Sequence, residues 1–106
     1  DKDRQCNVEF RVADATASPY FALGAILRAG ADGIARGLDL PTEGADAPHL
    51  PGSLTEALDL MEASQAVADW MGPTLREAYL RHKRSEAAYV ADWSDAEISV
   101  RYADVY

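Results

Sequence analysis

The sequence has little of what secreted, membrane or nucleic-acid-binding proteins require. Cys6 is the single cysteine, so an internal disulfide framework is excluded and a reducing cytoplasm is expected. No apolar run approaches the length of a membrane span, and no signal-peptide pattern opens the chain. Positive charge is also scarce: 10 Lys and Arg against 18 Asp and Glu give a net charge of −8, which argues against a nucleic-acid partner.

The chain is also short. Its 106 residues provide one domain at most and can bury only a modest core. It begins at Asp1 rather than at methionine. We therefore expect a fragment of a larger protein.

The segment Asn7–Val12 predicts a short strand, because apolar residues alternate with Glu9 and Arg11 at the period of a β-strand. A polar turn follows it. Ser18 and Pro19 then have the residue types of a helix N-cap and first helical position.

The predicted first helix, Pro19 to Arg36, is apolar over most of its circumference. Its charged residues, Arg28, Asp32 and Arg36, form one narrow stripe at spacings of four. Gly37 stands where a C-cap glycine is expected. A helix of this kind is normally buried on several sides, so we expect it to be covered by a larger parent protein and expect the isolated chain to self-associate.

The rest of the chain predicts a long loop and three more helices. Pro and Gly punctuate residues 38–52, as in a loop. Capping boxes start helices at Ser53 and Ser94, and Pro73 starts another that runs to about Ala91, with an apolar strip of Leu75, Ala78 and Tyr79. The predicted fold class is α+β and mostly α: one short strand followed by about four helices.

Several stretches carry distinctive motifs in a fixed order. They are Glu9 with Arg11, Asp14-Ala15-Thr16-Ala17-Ser18-Pro19-Tyr20, Ala29-Gly30-Ala31-Asp32-Gly33-Ile34, Leu50-Pro51-Gly52-Ser53-Leu54-Thr55-Glu56-Ala57-Leu58 and Tyr79-Leu80-Arg81-His82-Lys83-Arg84-Ser85-Glu86. They resemble the C-terminal portion of the glutamine synthetase catalytic domain. In that family a strand with Arg-x-Glu-x-Arg leads through Asp-x-x-Ala-Asn-Pro-Tyr into a helix ending Ala-Gly-Leu-Asp-Gly-Ile. The resemblance covers nearly the whole chain, residues 1–106.

The resemblance implies an ATP-dependent ligase that joins glutamate to ammonia or another amine through a γ-glutamyl phosphate. Glu9 would bind one of two divalent cations, Mg²⁺ or Mn²⁺, and Arg11 would contact the glutamate substrate and the transferred phosphate. These residue types suit those roles. From the residues alone, Glu9 and Arg11 could equally form a solvated strand face or a local ion pair. Family members are homo-oligomers that share active sites between subunits.

Two positions depart from the family pattern. Asn7 stands where the family's first arginine helps to hold the nucleotide phosphates, and asparagine brings no charge. Ser18 replaces the asparagine before Pro-Tyr, a milder change because serine also caps helices. Strict glutamine synthesis is therefore in doubt, while γ-glutamyl amide formation is kept. The sequence has no tyrosine between Tyr20 and Tyr79, so adenylylation of a loop tyrosine is not expected.

The other candidate residues point to no site. His49 and His82 are expected to be surface histidines, and Cys6 has no histidine near it in the sequence to activate it as a nucleophile. The basic run 81–84 suits a solvated helix face or a subunit contact. The alternative function is an autonomous helical module that binds a protein partner without catalysis. Since one metal ligand and one arginine cannot form a two-metal site, we expect the isolated chain to be inactive.

Overall fold

A computed structural model of the chain describes residues 9–13, 17–42 and 49–105. The chain divides into two compact units, Asp1–Leu40 and Pro41–Tyr106. The described residues form five helices: α1 Pro19–Ala35, α2 Leu54–Ala63, α3 Gln65–Met71, α4 Pro73–Tyr89 and α5 Asp95–Ala103. None of these helices is long and apolar enough to cross a membrane.

Helix α1 lies in the first unit and ends in a Schellman motif. Its first residue is Pro19, as the sequence predicts. At the other end Gly37 has a φ of 61°, in the left-handed region that glycine enters at little cost. Its amide donates to the Ile34 carbonyl (3.1 Å) and the Leu38 amide donates to the Gly33 carbonyl (3.0 Å). These two bonds satisfy carbonyls that the end of a helix leaves unpaired.

No residue of α1 is buried. Ile26 is half-buried, while the other large apolar side chains are exposed, from 42% for Phe21 to 88% for Tyr20. On the charged stripe Arg36 and Asp32 form an ion pair at 3.0 Å. Helix α1 is therefore apolar, as the sequence predicts, but the described part of the first unit does not bury it.

The second unit packs α4 against α2 and α3. Its buried hydrophobic side chains, among the described residues, are Leu58 on α2 (3% exposed) and Leu80 on α4 (7% exposed). Arg84 on α4 adds a polar link to α2, because its guanidinium donates to Asp59 at 2.9 Å and to Glu62 at 2.6 Å. The hydrogen bond to Asp59, supported by the charges of both carboxylates, raises the pKa of Arg84.

Side chains next to the N-termini of α2 and α5 cap these helices with hydrogen bonds. The Ser53 hydroxyl accepts from the Glu56 amide at 3.1 Å, while the Glu56 carboxylate accepts from the Gly52 amide at 2.8 Å, one residue earlier than in a capping box. At α5 the box is complete, because Ser94 and Glu97 each accept from the other's amide. The Ser94 hydroxyl and amide both donate to Glu97 and lower the pKa of its carboxyl group.

Two parts of the predicted fold are wrong. The predicted strand is not seen: residues 9–10 have no regular structure, Arg11 and Val12 lie in a turn, and Asn7 is outside the described residues. A strand needs a neighbour for its main-chain hydrogen bonds, and the described residues contain no second strand. The sequence also predicts about four helices, whereas the described residues form five, because Ser64 caps a short additional helix, α3.

Candidate functional site

The site predicted from sequence is represented by Glu9 and Arg11. The Arg11 guanidinium Nη2 lies 2.9 Å from Glu9 Oε2, so the two side chains form an ion pair across one intervening residue. The two side chains thus form the local ion pair that the residues alone also allow, without the predicted strand. Asn7, the predicted nucleotide contact, lies outside the described residues.

Both members of the pair are open to solvent. The Arg11 side chain is 81% exposed and the Glu9 side chain 66% exposed. An exposed ion pair contributes only about 0–1 kcal/mol, because water screens the charges and ordering the side chains costs entropy. The two groups are therefore free to exchange each other for stronger partners: a cation for the carboxylate, and a carboxylate or phosphate for the guanidinium.

The described residues do not complete a metal site. In the ranges 9–13, 17–42 and 49–105, no three or more His, Cys, Asp or Glu side chains are grouped so that they could hold a metal ion. Mg²⁺ is commonly held by one or two carboxylates together with water and substrate phosphates. Glu9 can supply one such carboxylate, and a two-metal centre needs ligands beyond those described.

Among the described residues, the remaining candidates are surface side chains or members of ion pairs. His82 is 66% exposed, with Nε2 3.9 Å from the Glu86 carboxylate, and His49 is exposed as well. Cys6 lies outside the described residues. The basic run is largely paired: Arg81 with Glu77 at 2.7 Å, Lys83 with Glu86 at 2.5 Å and Arg84 with α2. This pairing favours a structural role over nucleic-acid binding.

The structure also shows features that the sequence did not reveal. Arg76 donates to the Glu62 main-chain carbonyl. Arg84 binds two acidic side chains of α2, although the sequence suggests only a solvated helix face or a subunit contact for the basic run that contains it. An open groove of about 310 Å³ lies between α4 and α5 and shares no residue with the Glu9–Arg11 pair. Its lining residues include Glu86, Tyr89 and Arg101, and no spacing in the sequence brings these residues together.

Comparison with known proteins gives the family of the chain. Residues 1–101 match the family described as glutamine synthetase, catalytic domain. The chain belongs to the glutamine synthetase family, as its motifs predict. No solved structure matches the chain.

Several curated proteins are similar to the chain. A γ-glutamylpolyamine synthetase of Streptomyces coelicolor is 29% identical over 95% of this chain and 25% of its own length. A glutamine synthetase of Frankia alni is 36% identical over 79% of this chain and 21% of its own length. A glutamine synthetase of Pyrococcus abyssi is 32% identical over 85% of this chain and 24% of its own length. The chain therefore spans about a quarter or less of the length of these relatives.

Proposed function

We propose that this chain is the C-terminal portion of an ATP-dependent ligase that joins glutamate to ammonia or another amine. The observation that carries the proposal is the family match over residues 1–101. The relatives' names support a shared γ-glutamyl chemistry with different amines, since one is a γ-glutamylpolyamine synthetase and others are glutamine synthetases. Asn7 and Ser18 in place of family residues are a reason to leave the amine open.

The proposed reaction has two steps. In the first, an oxygen of the glutamate γ-carboxylate takes the terminal phosphoryl group of ATP, and ADP leaves. In the second, the amine nitrogen attacks the acyl carbon of the γ-glutamyl phosphate, inorganic phosphate leaves, and the amine gives up a proton. Fixed positive charge near the phosphoryl oxygens lowers the barrier to such transfers.

Within this scheme Arg11 is the catalytic and substrate-binding residue of the chain. Its guanidinium presents parallel N–H donors that match two oxygens of a carboxylate or phosphoryl group. Its present partner, Glu9, is an exposed carboxylate that a substrate anion can replace. Arg11 would thus orient the glutamate and offset the negative charge of the transferred group.

Glu9 is the proposed metal ligand. Mg²⁺ and Mn²⁺ prefer carboxylate oxygens, and a divalent cation bound there would neutralise phosphate charge. The remaining ligands, the nucleotide site and the neighbouring subunits would come from outside the described residues. Because these parts are missing from it, we propose that the isolated 106-residue chain is inactive. From the family resemblance we also propose that the parent enzyme is homo-oligomeric, and the single cysteine favours a cytoplasmic location.

The test uses the longer enzyme that contains this segment, assayed for γ-glutamyl amide formation at increasing Mg²⁺ or Mn²⁺. Glu9→Gln should raise the metal concentration for half-maximal activity by at least ~10-fold, because even groups that only support metal ligands commonly affect metal affinity by about 10–100-fold. Glu77→Gln is the matched control: Glu77 is 70% exposed and pairs with Arg81 within α4, so the metal requirement should not change.

An unchanged metal requirement in Glu9→Gln would remove Glu9 from the site. The isolated chain is assayed in parallel with glutamate, ATP, ammonia and a polyamine. We expect no product, and turnover by the pure chain would contradict its proposed inactivity.

A further inference from the structure

The open groove of about 310 Å³ between α4 and α5 has no role in the proposed ligase reaction. We call it the α4–α5 groove. Its walls are formed by one face of α4, by Arg101 and Tyr102 on α5, and by Val105 just after α5. The volume lies at the lower end of the range of small-molecule sites, about 300–1,000 Å³. The groove therefore has the size of a site for a small molecule.

Arg101 gives this groove a positive charge that is not paired. Among the described residues, no side chain forms an ion pair or a hydrogen bond with its exposed guanidinium. Glu97, four residues earlier, is at the ordinary spacing for a helical ion pair, but its carboxylate accepts from the Ser94 amide at 2.8 Å and hydroxyl at 2.7 Å. The other Lys and Arg side chains of residues 49–105 all have acceptors: Arg76, Arg81, Lys83 and Arg84. Arg101 therefore keeps its parallel N–H donors available for a carboxylate or a phosphate.

The acidic residue in the α4–α5 groove does not cancel this charge. Glu86 lines the groove, but its Oε2 lies 2.5 Å from Lys83 Nζ, so a cation already offsets it. His82 lines the groove as well and is 66% exposed, with Nε2 3.9 Å from the same carboxylate. Its imidazole can give a ligand a further N–H donor. The charges around the groove therefore favour an anion.

Aromatic surface lies beside these polar groups. Tyr89 lines the groove and is 62% exposed. Its ring centroid lies 5.1 Å from that of Trp93 in a tilted contact, which holds the ring in place while leaving much of it in water. Tyr102, which is half-buried, and Val105 add further apolar surface to the wall. A planar ring of a ligand can pack against an aromatic side chain presented in this way.

We propose that the α4–α5 groove binds a small molecule that carries one aromatic ring and one anionic group, either a phosphate or a carboxylate. The Arg101 guanidinium binds the anionic group, His82 donates a further hydrogen bond, and the ligand ring packs against Tyr89. An exposed charge alone contributes little in water, so the ring contact is needed to make the charged contact effective. None of these residues belongs to the Glu9–Arg11 pair, so the binding is additional to the proposed ligase reaction.

Fluorescence titration of the dilute 106-residue chain tests the proposal, because Trp93 contacts Tyr89 and its emission reports on that ring. The probes are phenyl phosphate and phenylacetate, each titrated at constant ionic strength. We expect a saturable change with at least one of them, and the probe that binds more tightly identifies the anionic group. Inorganic phosphate lacks the ring and benzyl alcohol lacks the charge, so both should bind at least ~10-fold more weakly.

Two pairs of variants assign the binding to the groove. Arg101→Gln should weaken binding by at least ~10-fold, because it removes charged hydrogen-bond donors. Arg81→Gln makes the same change of charge at a residue that pairs with Glu77 and does not line the groove, so the affinity should not change. Tyr89→Leu should weaken binding by removing the ring, whereas Tyr20→Leu on α1, where the side chain is 88% exposed, should not. Circular dichroism checks that each variant keeps its helices.

The absence of a saturable change with either probe would overturn the proposal. Equal affinity in Arg101→Gln and Arg81→Gln would overturn it as well, and benzyl alcohol binding as tightly as the charged probes would contradict recognition of an anion. The titration involves no turnover, metal or ATP. The proposal can therefore fail while the ligase assay succeeds, and it can hold while the ligase assay fails.

Discussion

Helix α1 and the helices of residues 49–105 differ in how they are stabilised. Helices in both regions have termini stabilised by local hydrogen bonds. Examples are the Schellman motif at the C-terminus of α1 and the capping box at the N-terminus of α5. Only the second region, among the described residues, adds buried leucines and a link between helices through Arg84. Local sequence signals are thus sufficient to define where α1 begins and ends, while burial of the helix requires packing partners that the described part of the first unit does not supply.

The largest expected effect is on the second region's small core. Leu58→Ala or Leu80→Ala should lower the free energy of unfolding by about 2–5 kcal/mol, because each removes a buried side chain and leaves a cavity. Leu27→Ala on α1 is the matched control and should change it by no more than about 0.5 kcal/mol. Urea unfolding of the 106-residue chain followed by circular dichroism measures all three. If Leu27→Ala lowered the free energy of unfolding as much as Leu58→Ala does, the proposed difference between the two regions would be contradicted.

The next effect concerns association of the isolated chain. Because Leu23, Leu27 and Ile34 of α1 are exposed apolar side chains, we expect the chain to self-associate as its concentration rises. Replacing Leu23 and Leu27 by glutamine should shift the chain toward monomer in sedimentation experiments. Replacing Leu60 and Leu75, which are also exposed, should have less effect. If the chain stayed monomeric at high concentration, the prediction that the exposed apolar residues of α1 drive self-association would be contradicted.

The smallest effect is the pH dependence of α5. The hydrogen bonds from Ser94 hold the pKa of Glu97 below its ordinary value of 4.5, so the carboxylate stabilises the helix above that pH. This contribution is lost as the pH falls through the lowered pKa. The stability difference between the native chain and Glu97→Gln should therefore shrink in acid.

Helix α1 provides the comparison for this test, because Ser18 makes no side-chain capping bond and no acidic residue lies in the first turn. Ser18→Ala should leave the acid dependence of unfolding unchanged. If Glu97→Gln left the pH profile of unfolding unchanged, the capping box would not be the source of this acid sensitivity.

Helix boundaries were the part of the fold most accessible from sequence, because caps are local. The starts of α1 and α4 at Pro19 and Pro73 are confirmed. The sequence does not predict α3, because seven residues are too few to show a helical periodicity. The strand was wrong because alternation is local, whereas a strand also needs a neighbour.

The packing of α4 shows a second limit of the sequence. The apolar strip was predicted at Leu75, Ala78 and Tyr79, yet Leu75 is 47% exposed and Leu80 is the buried residue. Counting apolar residues on one helix does not tell which side the neighbouring helices cover. In the candidate site, the closeness of Glu9 and Arg11 could be predicted because only one residue separates them. The described residues contain no group of three or more His, Cys, Asp or Glu side chains that could hold a metal ion.

We propose that this chain is one portion of a larger γ-glutamyl ligase. The most direct test is the mass of the native polypeptide in its source cells, identified by mass spectrometry of peptides from this segment. We expect a mass several-fold above the 11.5 kDa of these residues. A native polypeptide of about 11.5 kDa would contradict the claim and favour a helical binding module without catalysis.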